Sequence, residues 1–292
     1  MAKTATKHMF IFGLGYVGLH LAKALHAQGW QITGTTRNVE KLAHYQDKGW
    51  RILSFEDGKP ITHIDQYLDQ ASHVLTTISA LVGHDPVMQA HQASLAKFKG
   101  WTGYVSATSI YPDQEDGFVD EDTIPAPATK RGHDRLAAEQ LWQRVTNAEI
   151  FRVAGIYGPG RSPFAALMEG RAKIIEKEGH FFNRIHQSDI TAIILAALGA
   201  PRPGRIINLC DKEPAPQGDV IRYAASLLQI DPPKAVRFEE ADLSPMARTF
   251  YVSRRKLTSR IIGTELPVTL QYPTYREGLK AILEAEGLLQ NH

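Results

Sequence analysis

The stretch Gly13-Leu-Gly-Tyr-Val-Gly18 decides the fold of this chain. It follows an apolar run at 8–12 and opens an amphipathic segment at 16–28 that reads as a helix. A GxGxxG pattern between a strand and a helix is typical of dinucleotide binding, because its glycines allow a tight turn, close approach of a pyrophosphate and close helix packing. We therefore predict that a nucleotide binds at Gly13, Leu14, Gly15, Tyr16, Val17 and Gly18.

The same alternation of short apolar runs and amphipathic segments continues through about the first 210 residues. The predicted strands are 8–12, 31–35, 51–55, 73–78, 102–106, 150–153 and 205–209, with helices such as 16–28 and 134–145 between them. Strands that alternate with helices form a parallel sheet with right-handed crossovers. The sequence thus predicts an α/β protein, a Rossmann doubly wound parallel sheet with helices on both faces.

The regular alternation of apolar runs and amphipathic segments weakens after residue 160, where Pro and Gly interrupt it. We predict a Rossmann domain at 1–160, to whose sheet 186–210 return, and a smaller C-terminal substrate lobe at 161–185 and 211–292. Asp189 is expected to be the N-cap of a helix at 190–198. The lobe is expected to close over the carboxyl edge of the sheet.

The end of the second predicted strand indicates which dinucleotide binds. An NAD site usually has an Asp or Glu there for the ribose 2′-hydroxyl, whereas an Arg accommodates the 2′-phosphate of NADP. Here Thr36-Arg37-Asn38 follow the strand, and the first carboxylate is Glu40. The sequence favours NADP, with NAD as the alternative, and Arg37 is expected to pair with the phosphate with help from Thr35 or Thr36.

Composition excludes several functional classes. The chain has 292 residues, 33 Lys and Arg against 31 Asp and Glu, and one cysteine. A balanced charge gives no electrostatic reason to bind nucleic acid, and the short basic run Arg254-Arg255-Lys256 is expected to be a solvated helix face. We expect no metal site, no membrane span, a reducing cytoplasm and a small-molecule substrate.

Several later motifs resemble the extended short-chain dehydrogenase/reductase superfamily, of the nucleoside-diphosphate-sugar epimerase/dehydratase type. Val105-Ser-Ala-Thr-Ser-Ile-Tyr111 is similar to the fifth strand, Val119-Asp-Glu121 to the acidic turn, and Asn208 to the asparagine of a later strand. Segments 152–161 and 184–190 are similar to the sixth strand and to the end of the substrate pocket. The closing segment at 272–279 resembles the atypical, YeeZ-like branch.

The resemblance implies catalysis by a Tyr, a Lys four residues later and a Ser or Thr. These positions fall on Arg131, Arg135 and Ala107, so the usual set is absent. An Arg cannot donate a proton near neutral pH, because its pKa exceeds about 12. Arg135 is expected to hold the nicotinamide ribose or a phosphate, and Ser79 to contact the cofactor.

Other residues are candidates for the missing chemistry. Tyr111, His133 and His186 are the ionisable groups expected near the pocket. Thr108, Ser109, Arg161 and Arg184 are candidates for substrate binding, and Arg152 and Arg171 could also attract an anionic group.

Two functions are therefore open. The first is an NADP-dependent oxidoreductase or epimerase with a non-standard catalytic set, acting on a small polar substrate such as a nucleotide sugar. The second is a non-catalytic NADP-binding redox sensor or scaffold. By analogy with related folds, helix 134–145 is a candidate for pairing two copies in a homodimer.

Overall fold

A computed structural model describes residues 7–114 and 117–288. The chain divides into two compact units. The first comprises the residues up to Ile110, Lys130–Arg152 and Ile194–Ile207, and the second comprises Tyr111–Thr129, Val153–Ile193 and the residues from Asn208 onward. Residues 111–129, 153–160, 186–193 and 208–210 thus group with the second unit, whereas the sequence placed them in the predicted Rossmann domain.

A seven-stranded sheet is the centre of the first unit, and the division between the units runs through its last two strands. Its strands are β1 (His8–Phe12), β2 (Gln31–Thr36), β3 (Arg51–Ser54), β4 (His73–Thr76), β5 (Trp101–Ala107), β7 (Glu149–Val153) and β11 (Ile206–Leu209). Their order is β11-β7-β5-β4-β1-β2-β3, and the pairs around β1 are parallel. The order reverses at β1 and β4, where open α/β sheets bind ligands. The predicted Rossmann fold class is confirmed.

The helices of the first unit connect these strands. They are α1 (Tyr16–Ala27), α2 (Ile64–Leu68), α3 (Pro86–Leu95) and α4 (Lys130–Thr146), with 3-10 helices at Glu40–Lys48 and Thr108–Ile110. In α1, Val17, Leu21 and Leu25 recur at every fourth residue and are buried, which agrees with the amphipathic segment expected there. A further helix, α6 (Gln187–Gly199), begins in the second unit and ends in the first.

Paired charges accompany the apolar core of the first unit. Phe10, Val74 and Trp142 belong to its main cluster. The buried Glu149 carboxylate accepts hydrogen bonds from Arg205 Nη2 (2.8 Å) and Trp101 Nε1 (2.8 Å), so its charge is compensated inside the protein. Compensation of this kind makes a buried carboxylate tolerable.

The second unit contains small two-stranded sheets and its own apolar core. Its strands are β6 (Phe118–Val119), β8 (Gly155–Tyr157), β9 (Ile174–Glu176), β10 (Arg184–His186), β12 (Ala235–Arg237) and β13 (Lys256–Leu257). Its other helices are α5 (Phe164–Met168), α7 (Gln217–Leu227), α8 (Pro245–Thr249) and α9 (Tyr275–Ala285). Three parallel pairs form, β8 with β10, β9 with β12 and β6 with β13.

Two carboxylates join distant segments of the second unit. Glu121 accepts hydrogen bonds from the backbone N–H groups of Asn208 (2.9 Å) and Arg260 (2.8 Å). Asp189 accepts them from Gln271 N–H (2.6 Å) and Tyr272 N–H (3.1 Å). The prediction that Asp189 caps its helix was wrong, because α6 begins two residues earlier and the carboxylate serves the segment before α9.

No helix within the described ranges is long and apolar enough to span a membrane.

Candidate functional site

The glycine loop is anchored to two neighbouring strands. Gly13 has φ +95°, a left-handed conformation that glycine adopts without strain. Its N–H donates to Thr35 Oγ1 (2.9 Å), and its carbonyl accepts from Thr77 Oγ1 (2.7 Å). Leu14 N–H donates to the Thr35 carbonyl (2.7 Å), so the loop is held before any ligand arrives.

The other two glycines have opposite surroundings. A Cβ at Gly18 would lie 2.1 Å from the Gly13 carbonyl oxygen, so this position packs α1 against the loop. A Cβ at Gly15 would meet nothing within 4 Å, and Gly15 is exposed at the N-terminus of α1 without a side-chain cap. Open space beside an uncapped helix N-terminus suits a pyrophosphate. These residues fit the phosphates of a dinucleotide.

The end of β2 presents Arg37 to solvent. Thr36 Oγ1 accepts a hydrogen bond from Asn38 N–H (3.2 Å), which shapes the turn after the strand. Thr35 is completely buried and its hydroxyl holds Gly13. Thr35 is therefore unavailable to a 2′-phosphate, and the expectation that it could assist Arg37 was wrong.

The remaining predicted cofactor residues have different surroundings. Leu14 packs on Gly34, where a Cβ would lie 2.5 Å from the Leu14 side chain, and Val17 is buried in α1. Tyr16 is half-buried, and Ser79 is exposed three residues after β4. The buried Arg135 donates from Nη1 to Tyr104 Oη (3.2 Å) and to the Val105 carbonyl (3.2 Å), so its guanidinium braces α4 against β5.

The positions of the usual catalytic set hold no proton donor of the expected kind. Ala107 is the last residue of β5, and Arg131 is exposed on α4, one turn before Arg135. His133 lies two positions after Arg131, about 200° around the helix, and is also exposed. It therefore faces away from the buried side of α4, and the geometry gives its proposed catalytic role no support.

Tyr111 and His186 lie in the second unit. Tyr111 is completely buried and donates its hydroxyl proton to Asn208 Oδ1 (2.7 Å). The buried His186 accepts from Ser188 N–H at Nδ1 (3.2 Å), so a neutral ring carries its proton on Nε2. The rings of Tyr157 and Tyr272 lie 5.2 and 4.1 Å from the His186 ring, measured between centroids.

The predicted substrate residues are spread over both units. Thr108 and Ser109 form the half-buried 3-10 turn after β5 in the first unit. In the second unit, Arg161 is exposed in a turn with Gly158, and Arg184 donates from Nη1 to the carbonyls of Phe182 (2.9 Å) and Ala215 (3.1 Å).

Two expectations about basic residues were wrong. The buried Arg152 guanidinium is paired with the Glu139 carboxylate through Nε and Nη2, so it is not available to an anion. The run at 254–256 is not a helix face: Lys256 begins β13, and Arg255 Nη1 donates to the Tyr111 carbonyl (2.9 Å).

The second unit also contains a cavity of about 460 Å³ that the sequence did not reveal. We call it the second-unit cavity. Its apolar lining includes Ile175, Phe182, Ile221, Leu243, Phe250 and Tyr251, and its polar lining is Arg171, Lys173 and Gln217. Strand β9 and helix α7 supply part of the wall, but their apolar residues are ordinary core residues in the sequence, so no pattern indicated a cavity.

Asp211 is a second feature that the sequence did not reveal. This carboxyl follows β11 and is 3% exposed, and its Oδ2 accepts no hydrogen bond from the residues described. Burial raises the pKa of Asp211 to about 7, although the nearby Arg184 acts in the opposite direction. Burial likewise raises the pKa of the neighbouring Cys210 thiol, which makes that thiol unreactive.

Comparisons with known proteins find one family that matches the region containing the glycine loop, and individual proteins that match most of the chain. The NAD-binding domain of 6-phosphogluconate dehydrogenase is the family that matches residues 8–141. The chain is 29% identical to Protein YeeZ of Escherichia coli K12 over 240 residues, which cover 78% of this chain and 86% of YeeZ.

Solved structures agree with these sequence relationships. A functionally unknown conserved protein from Silicibacter pomeroyi DSS is 41% identical, with a TM-score of 0.88 over 96% of this chain and 99% of that one. UDP-glucuronic acid 4-epimerase from Bacillus cereus, in complex with NAD, shares the fold at 18% identity, with a TM-score of 0.73 over 96% and 99% of the two chains. The chain is therefore a YeeZ homologue with an NAD-binding Rossmann domain, and its fold is shared by solved structures of the NAD-dependent epimerase/dehydratase type.

Proposed function

We propose that this protein is an NADP(H)-dependent oxidoreductase or epimerase that acts on a small organic molecule. The observation that carries the cofactor choice is the end of β2, where the exposed Arg37 stands beside a prearranged glycine loop and no carboxylate precedes Glu40. A guanidinium can make two parallel hydrogen bonds to a phosphate, whereas a 2′-hydroxyl gives it no charge to pair with.

In this proposal, the glycine loop with the start of α1, Arg37 and the second unit each have a separate role. The loop and the first N–H groups of α1 bind the pyrophosphate, and Arg37 binds the 2′-phosphate. A bound nicotinamide supplies or accepts the hydride. The second unit contributes the substrate cavity.

Replacing Arg37 tests the cofactor choice. We expect Arg37→Ala to weaken NADPH binding about tenfold or more and to leave NADH binding unchanged, because only NADPH loses a charge-assisted hydrogen bond. Nicotinamide fluorescence titration measures both constants. Lys97→Ala, which removes an exposed cation after α3, is the control and should change neither constant. Equal loss of NADH and NADPH affinity in Arg37→Ala would contradict the NADP preference.

His186 is our candidate for moving the proton that accompanies the hydride. We expect a panel of aldehydes and ketones to yield at least one substrate that oxidises NADPH. We expect His186→Ala to abolish that turnover while NADPH binding is retained, because imidazole exchanges protons near neutral pH. His133→Ala, on the exposed side of α4, should keep the turnover. A His186→Ala variant as active as the wild type would exclude this role.

A non-catalytic NADP sensor is the second candidate. The observation in its favour is that Ala107, Arg131 and Arg135 occupy the usual catalytic positions and that the Arg135 guanidinium is bound to β5. Tight NADPH binding without turnover of any carbonyl in the panel would favour the sensor over the enzyme.

A further inference from the structure

The second-unit cavity has the dimensions of a binding site for a small organic ligand. Its volume of about 460 Å³ falls in the range of small-molecule sites. Most of the residues that line it are apolar, and Phe182 and Tyr251 contribute aromatic rings in an edge-to-face contact, 5.2 Å between centroids. The body of a ligand that fits such walls is apolar.

The hydrogen-bonding groups of the cavity wall are largely occupied by the protein itself. Gln217 Oε1 accepts from Ile175 N–H (3.0 Å), and Gln217 Nε2 donates to the Lys173 carbonyl (2.8 Å). The opposite edge of β9 pairs with β12, with Ile174 beside Ala235 and Ile175 beside Val236. Neither edge of β9 therefore offers a pair of backbone groups to the hydrogen-bonding edge of a nucleobase.

Two cations line the cavity, and within the described residues only one of them has a neutralising partner. Arg171 is paired with Glu169. Lys173 is exposed and forms no ion pair with a residue of 7–114 or 117–288. The Tyr251 hydroxyl likewise makes no hydrogen bond within the described residues. Both groups can donate to an acceptor-only anion.

We propose that the second-unit cavity binds a small organic anion with an apolar body, such as an alkyl or aryl carboxylate, and not a nucleotide sugar. The apolar body packs against the carbon-lined walls, and Lys173 binds the anionic end. Insofar as this ligand is the substrate, the inference rests on the proposed function. This ligand takes the place of the polar substrate expected from the sequence. A polar substrate would need the backbone hydrogen-bonding groups at β9, which Gln217 and β12 already occupy.

Calorimetric titration of the full chain without cofactor tests the inference, with octanoate, 1-octanol and UDP as probes. We expect octanoate to bind about fivefold tighter than 1-octanol, because only octanoate pairs with Lys173, and tighter than UDP. UDP binding tighter than octanoate, or no octanoate binding, would overturn the proposal.

A charge-removing pair of variants locates the octanoate site. Lys173→Gln should remove the roughly fivefold preference for octanoate over 1-octanol, while Lys234→Gln, at an exposed lysine outside the cavity, should keep it. Both substitutions change exposed side chains, so folding is unaffected. Equal effects of the two variants would overturn the role of Lys173. NADPH binding is measured separately. If the protein binds NADPH but not octanoate, this inference is refuted and the proposed function still stands.

Discussion

At the scale of single residues, the three glycines of the loop do three different things. Gly13 adopts a positive φ that lets the chain turn between the hydroxyls of the buried Thr35 and the half-buried Thr77. A side chain at position 18 would collide with the loop, and Gly15 leaves open space beside the N-terminus of α1, where we propose that the cofactor binds. The sequence pattern predicts all three roles, because a GxGxxG motif calls for a tight turn at its first glycine, space for a pyrophosphate at its second and close helix packing at its third.

Because Gly18 and Gly15 have different surroundings, substitutions at the two positions should separate an effect on stability from an effect on cofactor binding. We expect Gly18→Ala to destabilise the protein by about 2 kcal/mol or more, because its methyl group would overlap the Gly13 carbonyl. Gly15→Ala should leave the unfolding midpoint unchanged but weaken NADPH binding about tenfold, since its methyl group occupies only the approach to the loop. Thermal unfolding and fluorescence titration measure the two effects. Unchanged cofactor affinity in Gly15→Ala would mean that the ligand does not approach the loop there.

Some residues of the site could not have been predicted. The sequence places Arg135 at the position of a cofactor ligand. Only the structure shows that its guanidinium donates hydrogen bonds to the Tyr104 hydroxyl and the Val105 carbonyl. Asp211 is likewise an ordinary loop carboxylate in the sequence. Burial and partners of this kind depend on which distant segments meet, and local patterns do not contain that information.

At the scale of elements, long periodic segments were predictable and short pairings were not. The strands of the central sheet end within about two residues of the predicted positions, because a buried run of apolar residues is a strong local signal. The first turn of α4, from Lys130, was missed because it carries no apolar periodicity. The pairs of β9 with β12 and of β6 with β13 involve two or three residues far apart in the chain, so local sequence gives no indication of them.

At the scale of the whole molecule, each unit has its own apolar core. One cluster includes Phe10, Tyr104 and Trp142, and another in the second unit includes Phe164, Tyr275 and Leu279. The second unit carries Asp211, and we expect its buried carboxyl to make the stability of the fold depend on pH.

Asp211 should lower stability as the pH rises. Between its usual pKa of 3.8 and about 7, the folded state keeps a proton that the unfolded state has released, so the free energy of unfolding falls with increasing pH. One such group changes the free energy of unfolding by at most about 1.4 kcal/mol per pH unit. We expect Asp211→Asn to lack this contribution, so that its stability relative to the wild type increases from pH 4 to about pH 7.

Chemical denaturation of both proteins at several pH values measures this difference, and the comparison cancels the histidines and other carboxyls that also titrate. Glu178→Gln, at an exposed carboxylate of the same unit, is the control and should parallel the wild type. A constant difference between Asp211→Asn and the wild type from pH 4 to 7 would show that Asp211 titrates normally.

The buried hydroxyl of Thr35 has a consequence for protein engineering. Thr35 braces the phosphate loop from inside the sheet, whereas the residues that follow it, from Thr36 to Asn38, are at least partly open to solvent. The residue of β2 that shapes the loop and the residues that we propose contact the adenosine end of the cofactor are thus adjacent in sequence but separable by mutation. A redesign of the proposed NADP preference towards NADH can therefore exchange the residues after Thr35 while the architecture of the loop is conserved.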